Sequence, residues 1–201
     1  MKIYSGFFKR CFDVIFALLG VLFFALILIP VYIMIKLDDR GPVFYPSTRI
    51  GKNGKSFKMM KFRSMSVNAP DLRMEDGSTY NAKDDPRLTG VGRFLRESSL
   101  DEIPQILNVL QGSMSFIGPR PDIHIHENQV DEVMYNLRVR PGITGYSQAF
   151  YRSESTWLEK IKNDRYYVDH LSLGLDMKII VQTFLMVVKR EKTYRAPKEV
   201  V

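Results

Sequence analysis

The 201 residues include 29 lysines and arginines against 22 aspartates and glutamates, a net charge of +7, and are enough for one domain with a real core. The basic residues are interleaved with acids, which suits an anionic membrane surface or phosphorylated ligands; no recognisable RNA- or DNA-binding motif is present, which argues against nucleic acid as a partner. A single cysteine, Cys11, excludes an internal disulfide framework and fits a reducing cytosol.

Residues 14–35 carry no charge, and at about 1.5 Å per residue they reach roughly 33 Å, enough for one bilayer crossing. The run is too long for a cleavable signal, and no small-x-small site follows it. Pro30 complicates a simple span, because the residue before a proline disfavours helix and makes Ile29 the expected break. Lys2, Lys9 and Arg10 precede the run while Lys36 and Arg40 follow it, so the positive-inside rule assigns no orientation. Either an ordinary span or a helix that bends at Ile29-Pro30 and returns to the same face satisfies these residues. Asp13, beside Lys9 and Arg10, belongs at the headgroup level.

Residues 39–58 are turn-rich and strand-like, with a hairpin expected at Asn53-Gly54. In KMMKFRSM, 58–65, alternation places Lys61 and Arg63 on one strand face, which reads equally as a solvated basic face or a phosphate contact. Residues 68–86 are polar and read as a mobile surface loop, with Asp85-Pro86 as a turn. A short helical segment carrying Arg93 and Arg96 then leads to RESSLDEIPQILNVLQGSMSFIGPRP, 96–121.

In that stretch Ser99 reads as a helix N-cap, and Ser99-x-x-Glu102 as a capping box. Ile103, Ile106, Leu107 and Leu110 form one face of an amphipathic helix that stops at Gly112. Asp101 sits at the partially positive helix start, where it should stay ionised and where anions bind. Arg120, between Pro119 and Pro121, is a stiffly mounted fork for an oxyanion. A carboxylate facing a clamped guanidinium suits phosphoryl transfer.

Beyond Pro121, His124-x-His126 has metal-ligand spacing, but only His170 accompanies it, so a structural role is the simpler reading. Residues 128–140 read as a polar helix or connector, Arg140-Pro141-Gly142 as a turn, and ITGYSQAFYR, 143–152, as strand and loop whose aromatic and amide groups suit a uracil ring or simple packing. Residues 155–188 are helical in composition, and the apolar part from Leu175 suits a core helix or one lying in the membrane interface. Asp176, alone in that run, reads as an N-cap or as a salt-bridge partner of Lys178 or Arg190. Residues 191–201 read as a frayed tail.

SSLDEIPQILNVLQGSMSFIGPRP closely resembles the signature of the bacterial monotopic phosphoglycosyl transferases, also called bacterial sugar transferases. KFRSM at 61–65, DPRLTGVGRFLR at 85–96, RPGITG at 140–145 and LDMKII at 175–180 extend the resemblance over almost the whole chain, at the length of a minimal form. The resemblance implies a mixed α/β fold, a small sheet with amphipathic helices, carrying an N-terminal re-entrant membrane helix broken at Ile29-Pro30. It implies a membrane segment at 1–38, a catalytic domain at 39–190 on the cytosolic face of the bacterial inner membrane, and a tail at 191–201. The implied reaction moves a sugar-1-phosphate from a UDP-sugar to polyprenol phosphate, with Asp101 as covalent nucleophile and release of UMP. Carried over residue by residue, Glu102 joins Asp101 in the catalytic dyad. Lys61, Arg96, Arg120, Gln148 and Arg152 contact substrate, and Asp101 with Asp176 hold Mg²⁺. Membrane lipid is a further partner, and an oligomer is compatible. The sequence departs from the family pattern at Ala149-Phe150-Tyr151, where Val-Asn-Gly is usual, and at Ser113, where aspartate is usual; the first puts the loop shape and the sugar preference in question. Two other functions fit fewer of these residues: a membrane-anchored scaffold binding anionic lipid, and a lipid-phosphate hydrolase using the same aspartate with water.

Overall fold

The computed structural model describes residues 4–72, 80, 82, 84–121, 130–151 and 156–189. A π turn, Tyr4–Phe8, runs directly into helix α1, Lys9–Asp38. Its buried residues Asp13, Ala17, Phe24, Val31 and Ile35 form one stripe, while Leu18, Leu22, Leu26, Ile29, Ile33 and Leu37 form an exposed apolar stripe opposite. The sequence predicts a break at Ile29-Pro30, yet the chain stays helical through both. Both residues point away from the domain, so proline removes one i→i−4 hydrogen bond without disturbing the packed stripe.

Both ends of α1 are tied to the same body. At its start Arg10 donates to the carbonyls of Val109 (2.6 Å) and Leu110 (3.0 Å). Asp13 there accepts from Ser115 Oγ (3.0 Å) and Phe116 N–H (3.1 Å). At its end Asp38 accepts from Val91 N–H at 3.0 Å, and Asp39 just beyond receives both terminal nitrogens of the Arg63 guanidinium.

The expected hairpin is present. Strands β1 (Ser47–Ile50) and β2 (Ser56–Met59) pair antiparallel, with Ser47 opposite Met59 and Ile50 opposite Ser56. Asn53 (φ 58°) and Gly54 (φ 76°) occupy the left-handed region in the turn, which these two residues enter most readily. The chain then continues extended to Phe62, which bridges Phe44. Helix α2 (Gly90–Glu97) is capped by Thr89, whose hydroxyl accepts from Gly92 N–H at 2.9 Å. A 3-10 turn, Leu100–Glu102, precedes α3 (Gln105–Gln111), which ends at Gly112 with φ 89°.

The capping box expected at Ser99 is absent. Ser99 lies in the left-handed region at φ 57°, ending α2, and its side chain makes no cap bond. The Glu102 carboxylate turns instead to Lys61 and Arg120, because two cations are stronger partners than one backbone N–H.

The remaining strands, β3 (Ser115–Ile117) and β4 (Gly142–Thr144), pair in parallel, Ser115 with Gly142 and Ile117 with Thr144. Helix α4 (Val130–Asn136) lies between them in sequence. Residues 146–150, expected as loop, form the short helix α5 (Tyr146–Phe150). The long helical stretch divides into α6 (Trp157–Asp169) and α7 (Leu173–Val188). Thr156 with Glu159 forms a true capping box on α6, and Ser172 caps α7. The fold is thus mixed and mostly helical, with two separate two-stranded sheets among the described residues in place of the single small sheet expected.

Three apolar clusters fill the interior. Phe24, Val31 and Ile35 of α1 meet Phe62 and Leu95 in the first. Phe62 stacks on Phe44 with ring centres 5.5 Å apart, and burial of such a ring contributes about 1.5–3 kcal/mol. Ala17 meets Val109 and Met114 in the second, and Ile117, Ala149, Tyr167 and Ile179 form the third. Arg152, His124 and His126, the tail, and residues 73–79, 81 and 83 of the expected surface loop lie outside the described residues.

One close approach fixes α2 against the segment that carries Lys61. A Cβ on Gly92 would lie 1.8 Å from the Ser64 carbonyl oxygen, whereas one on Gly174 meets nothing within 4 Å. We expect Gly92→Ala to cost at least about 1–3 kcal/mol. Gly174→Ala should leave the thermal midpoint of the detergent-solubilised protein essentially unchanged, and equal midpoints for the two variants would refute the close packing.

Candidate active site

The site is assembled where three segments meet. The first is the extended chain after β2. Asn108, fully buried on α3, accepts from Met60 N–H (2.8 Å) and donates to the Lys58 carbonyl (2.8 Å), bracketing that chain. Phe62 N–H donates to the Asp101 carbonyl at 3.0 Å, which sets Lys61 beside the 3-10 turn. That turn, the second segment, presents Asp101 and Glu102. The third is the loop leaving β3: Gly118 N–H donates to Thr144 O (3.0 Å) and Gly142 N–H to Pro119 O (2.9 Å), fixing the turn that carries Arg120. A Cβ on Gly142 would lie 2.1 Å from Gly118 N, so the two backbones touch.

One carboxylate oxygen joins all three. Glu102 Oε1 accepts from Lys61 Nζ and from Arg120 Nη2, each at 2.8 Å. Lys61 Nζ also stands 4.0 Å from Asp101 Oδ2. Among the described residues, the Asp101 carboxylate accepts no hydrogen bond, and its side chain is 10 % exposed. It is therefore desolvated but still open to a ligand. Burial pushes the Asp101 pKa above the ordinary carboxylate value. Lys61 opposes this, Glu102 adds to it, and Arg96 and Arg120 oppose it at longer range. A charge pair at 4 Å is worth about 4 kcal/mol at an effective dielectric of ~20, against several kcal/mol to desolvate each ion, so burial wins. Burial also resists ionisation of Glu102, but Arg120 and Lys61 outweigh it and hold that carboxylate well below its usual range. Neighbouring carboxylates are thus driven apart in acidity. Glu102 remains an anion that organises cations, and Asp101 is the less stabilised anion, the better nucleophile.

Arg96 approaches from α2. Its Nε donates to Ser64 Oγ at 3.1 Å, and it contributes to the field on Asp101. Gln148, on α5, donates from Nε2 to the Ile143 carbonyl at 3.2 Å, while its Oε1 is buried with no hydrogen-bond partner among the described residues. The structure thus brings Asp101, Glu102, Lys61, Arg96 and Arg120 together. Arg63, on the same expected strand face as Lys61, is buried instead and bound to Asp39, Pro42 O and Met65 O. It anchors the end of α1.

Asp176 has other partners than the resemblance implies. Its Oδ2 accepts from Tyr4 (2.7 Å) and Lys9 (2.7 Å), and its Oδ1 from Tyr167 (2.8 Å). Both oxygens are committed to tying the start of the chain to α7, so Asp176 does not fit a shared metal site with Asp101. The salt-bridge partner is Lys9, far away in sequence, and not Lys178; Arg190 lies outside the described residues. No group of three or more His, Cys, Asp or Glu side chains converges among the described residues. Asp101 with Glu102 supplies hard oxygen donors of the kind Mg²⁺ takes alongside water and phosphate.

Three residues support the site in roles that the sequence did not suggest. Asn108 is a buried amide in a helix, Ser113 trades hydrogen bonds with it (3.2 and 3.3 Å), and Asp85, read as a turn, is completely buried. The Asp-Pro-Arg spacing is the one local signal for Asp85, since a carboxylate two residues from an arginine can fold back on it.

The chain matches the bacterial sugar transferase family over residues 4–190. It belongs to that family, the bacterial phosphoglycosyl transferases. It is 40 % identical over 184 residues to the UDP-glucose:undecaprenyl-phosphate glucose-1-phosphate transferase of Escherichia coli K12, covering 87 % of this chain and 39 % of that protein. It is 36 % identical over 203 residues to the undecaprenyl-phosphate galactose phosphotransferase of Salmonella typhimurium LT2, covering 94 % of this chain and 42 % of the relative. It is 38 % identical over 198 residues to the exopolysaccharide production protein PSS of Rhizobium leguminosarum bv. phaseoli, covering 92 % and 98 %. The chain thus spans about two fifths of the first two relatives and nearly all of the third.

The charge pattern is directly measurable. Lys61→Met removes the cation that most lowers the Asp101 pKa, so we expect the Asp101 carboxyl resonance, followed by ¹³C NMR against pH, to titrate at higher pH than in the native protein. An unchanged or lower titration would show that Lys61 does not face Asp101.

Proposed function

We propose that this protein transfers a sugar-1-phosphate from a UDP-sugar to polyprenol phosphate through an aspartyl-phosphosugar intermediate, as the first membrane step of a bacterial glycoconjugate pathway. The observation that carries this reading is a buried, unbonded Asp101 carboxylate beside Lys61, Glu102 and Arg120. In the first displacement an Asp101 oxygen attacks the sugar-bearing phosphorus. The bond from that phosphorus to the oxygen bridging to UMP breaks, and UMP leaves with the electron pair. In the second, an oxygen of polyprenol phosphate attacks the same phosphorus, the Asp101 oxygen leaves, and the carboxylate is regenerated. Each step brings anions together, so fixed positive charge is the main requirement. Lys61, Arg96 and Arg120 supply it, with the Arg120 fork suited to paired phosphate oxygens. Gln148, whose Oε1 has no hydrogen-bond partner among the described residues, is assigned to the donor nucleotide. Asp101 and Glu102 would hold Mg²⁺, which supplies further neutralisation of phosphate charge.

The membrane reading follows from α1. Among the described residues this is the one helix long and apolar enough to cross a bilayer. Both its ends are bonded to one domain, and its inner stripe is packed on that domain. An upright span would carry the polar site into hydrocarbon with it. We therefore place both ends on the cytosolic face of the inner membrane, with the outer stripe of α1 in lipid. The exposed apolar face of α7, including Met177, Val181 and Phe184, lies in the interface.

Asp101→Asn should remain folded and lose UMP release and any trappable phosphosugar adduct. Turnover within about tenfold of native, or ~1.4 kcal/mol of barrier, would exclude Asp101 as the nucleophile. The same assay separates the rival functions. A transferase gives at most one equivalent of UMP without polyprenol phosphate, a hydrolase turns over freely, and a scaffold releases none. A panel of UDP-sugars identifies the donor.

Topology is tested by cysteine labelling from outside the cell at residue 3, in a Cys11→Ser background. We expect no labelling in the native protein and none with Pro30→Ala, since the helix is already continuous at Pro30 and both its ends are bonded to the domain. Strong labelling with Pro30 intact would refute placement of both ends on the cytosolic side.

A further inference from the structure

Asp85 is fully buried, and its surroundings are those of a hub. Its Oδ1 accepts from the Arg87 backbone N–H (3.0 Å) and Nε (2.9 Å), and its Oδ2 accepts from Arg87 Nη2 (2.7 Å). Arg87 is itself buried and donates onward to the carbonyls of Pro70 (3.1 Å) and Tyr80 (2.9 Å). The pair is therefore closed and neutral, held in place by backbone on both sides. Arg96 comes to it from α2: Nη1 lies 3.9 Å from Asp85 Oδ2 while Nε donates to Ser64 Oγ. The Ser64 backbone is pinned in turn, its carbonyl accepting from Thr89 N–H (3.2 Å) and meeting Gly92 face to face.

An arginine has a long stem and many rotamers, and ordering it costs conformational entropy. Two contacts on different edges of the guanidinium, a hydroxyl at Nε and an anion near Nη1, restrict that freedom. Because Arg87 already balances the Asp85 charge, the anchor orients Arg96 without cancelling its positive charge.

We propose that Asp85, paired with Arg87, is a positioning residue that aims the Arg96 guanidinium at the phosphate transferred next to Asp101. This rests on the reading of Arg96 as a phosphate contact. Asp85 touches no substrate and acts through Arg96 alone.

The test is a double-mutant cycle on kcat/KM for UMP release, with folding checked by thermal melting. Asp85→Asn alone strands the Arg87 charge in the interior and risks unfolding, so the informative variant is Asp85→Asn/Arg87→Met, which buries no unpaired charge. Arg96→Ala should lower kcat/KM by about tenfold or more, and Asp85→Asn/Arg87→Met by about tenfold. The two changes combined should fall within about twofold of Arg96→Ala alone, because an anchor has nothing to hold once the guanidinium is gone. Asp84→Asn, on an exposed neighbour, should leave kcat/KM unchanged. Losses that multiply would make Asp85 a structural residue and overturn the proposal, as would full activity of the folded Asp85→Asn/Arg87→Met variant. Full activity of Arg96→Ala would instead remove Arg96 from phosphate binding, and the positioning role with it.

Discussion

The site depends on a single carboxylate oxygen shared by two cations. Glu102 Oε1 binds Lys61 and Arg120, and so joins the chain after β2, the 3-10 turn and the loop after β3 into one unit. Burial alone would favour neutral Glu102, and without that charge the two cations would repel each other. With it, the three groups form a net positive cluster next to a carboxylate that none of them neutralises fully. The acidity difference between Asp101 and Glu102 is a consequence of this arrangement, since the same cations lie closer to one carboxylate than to the other.

The long apolar helix α1 is part of the body that carries the site. Phe24 of α1 packs against Phe62, the residue next to Lys61, and Asp39 at the helix end binds Arg63. The helix and the site cannot move independently. The packed inner stripe also resolves a conflict in the sequence, because a purely apolar run looks the same whether it is surrounded by lipid or half covered by protein. Here protein covers one face of it and leaves the other exposed.

Asp176 shows how far a polar residue in an apolar run reaches for its partners. Its position suggests an N-cap or a nearby salt bridge and the resemblance implies a metal ligand, but its partners, Tyr4, Lys9 and Tyr167, come from the start of the chain and from α6. The charge it balances is more than 160 positions away, beyond the reach of any reading based on spacing. Asp85 is the converse case: it opens the expected turn, its carbonyl accepting from Leu88 N–H at 3.1 Å, and its side chain is completely buried as well.

By itself the sequence determined what is local. Asn53-Gly54 made a hairpin because both residues tolerate the left-handed backbone, and Gly112 ended α3 for the same reason. The apolar run made a long helix, and the motif resemblance identified the family. Tertiary structure decided where charges found their partners. Ser99-x-x-Glu102 has the pattern of a capping box, yet Glu102 is drawn to Lys61 and Arg120, because a charge-assisted bond outweighs a cap. Ile29-Pro30 has the pattern of a break, yet the chain stays helical there because packing of the inner stripe compensates for one lost hydrogen bond. Those outcomes depend on segments distant in sequence, and only the folded chain brings them within reach.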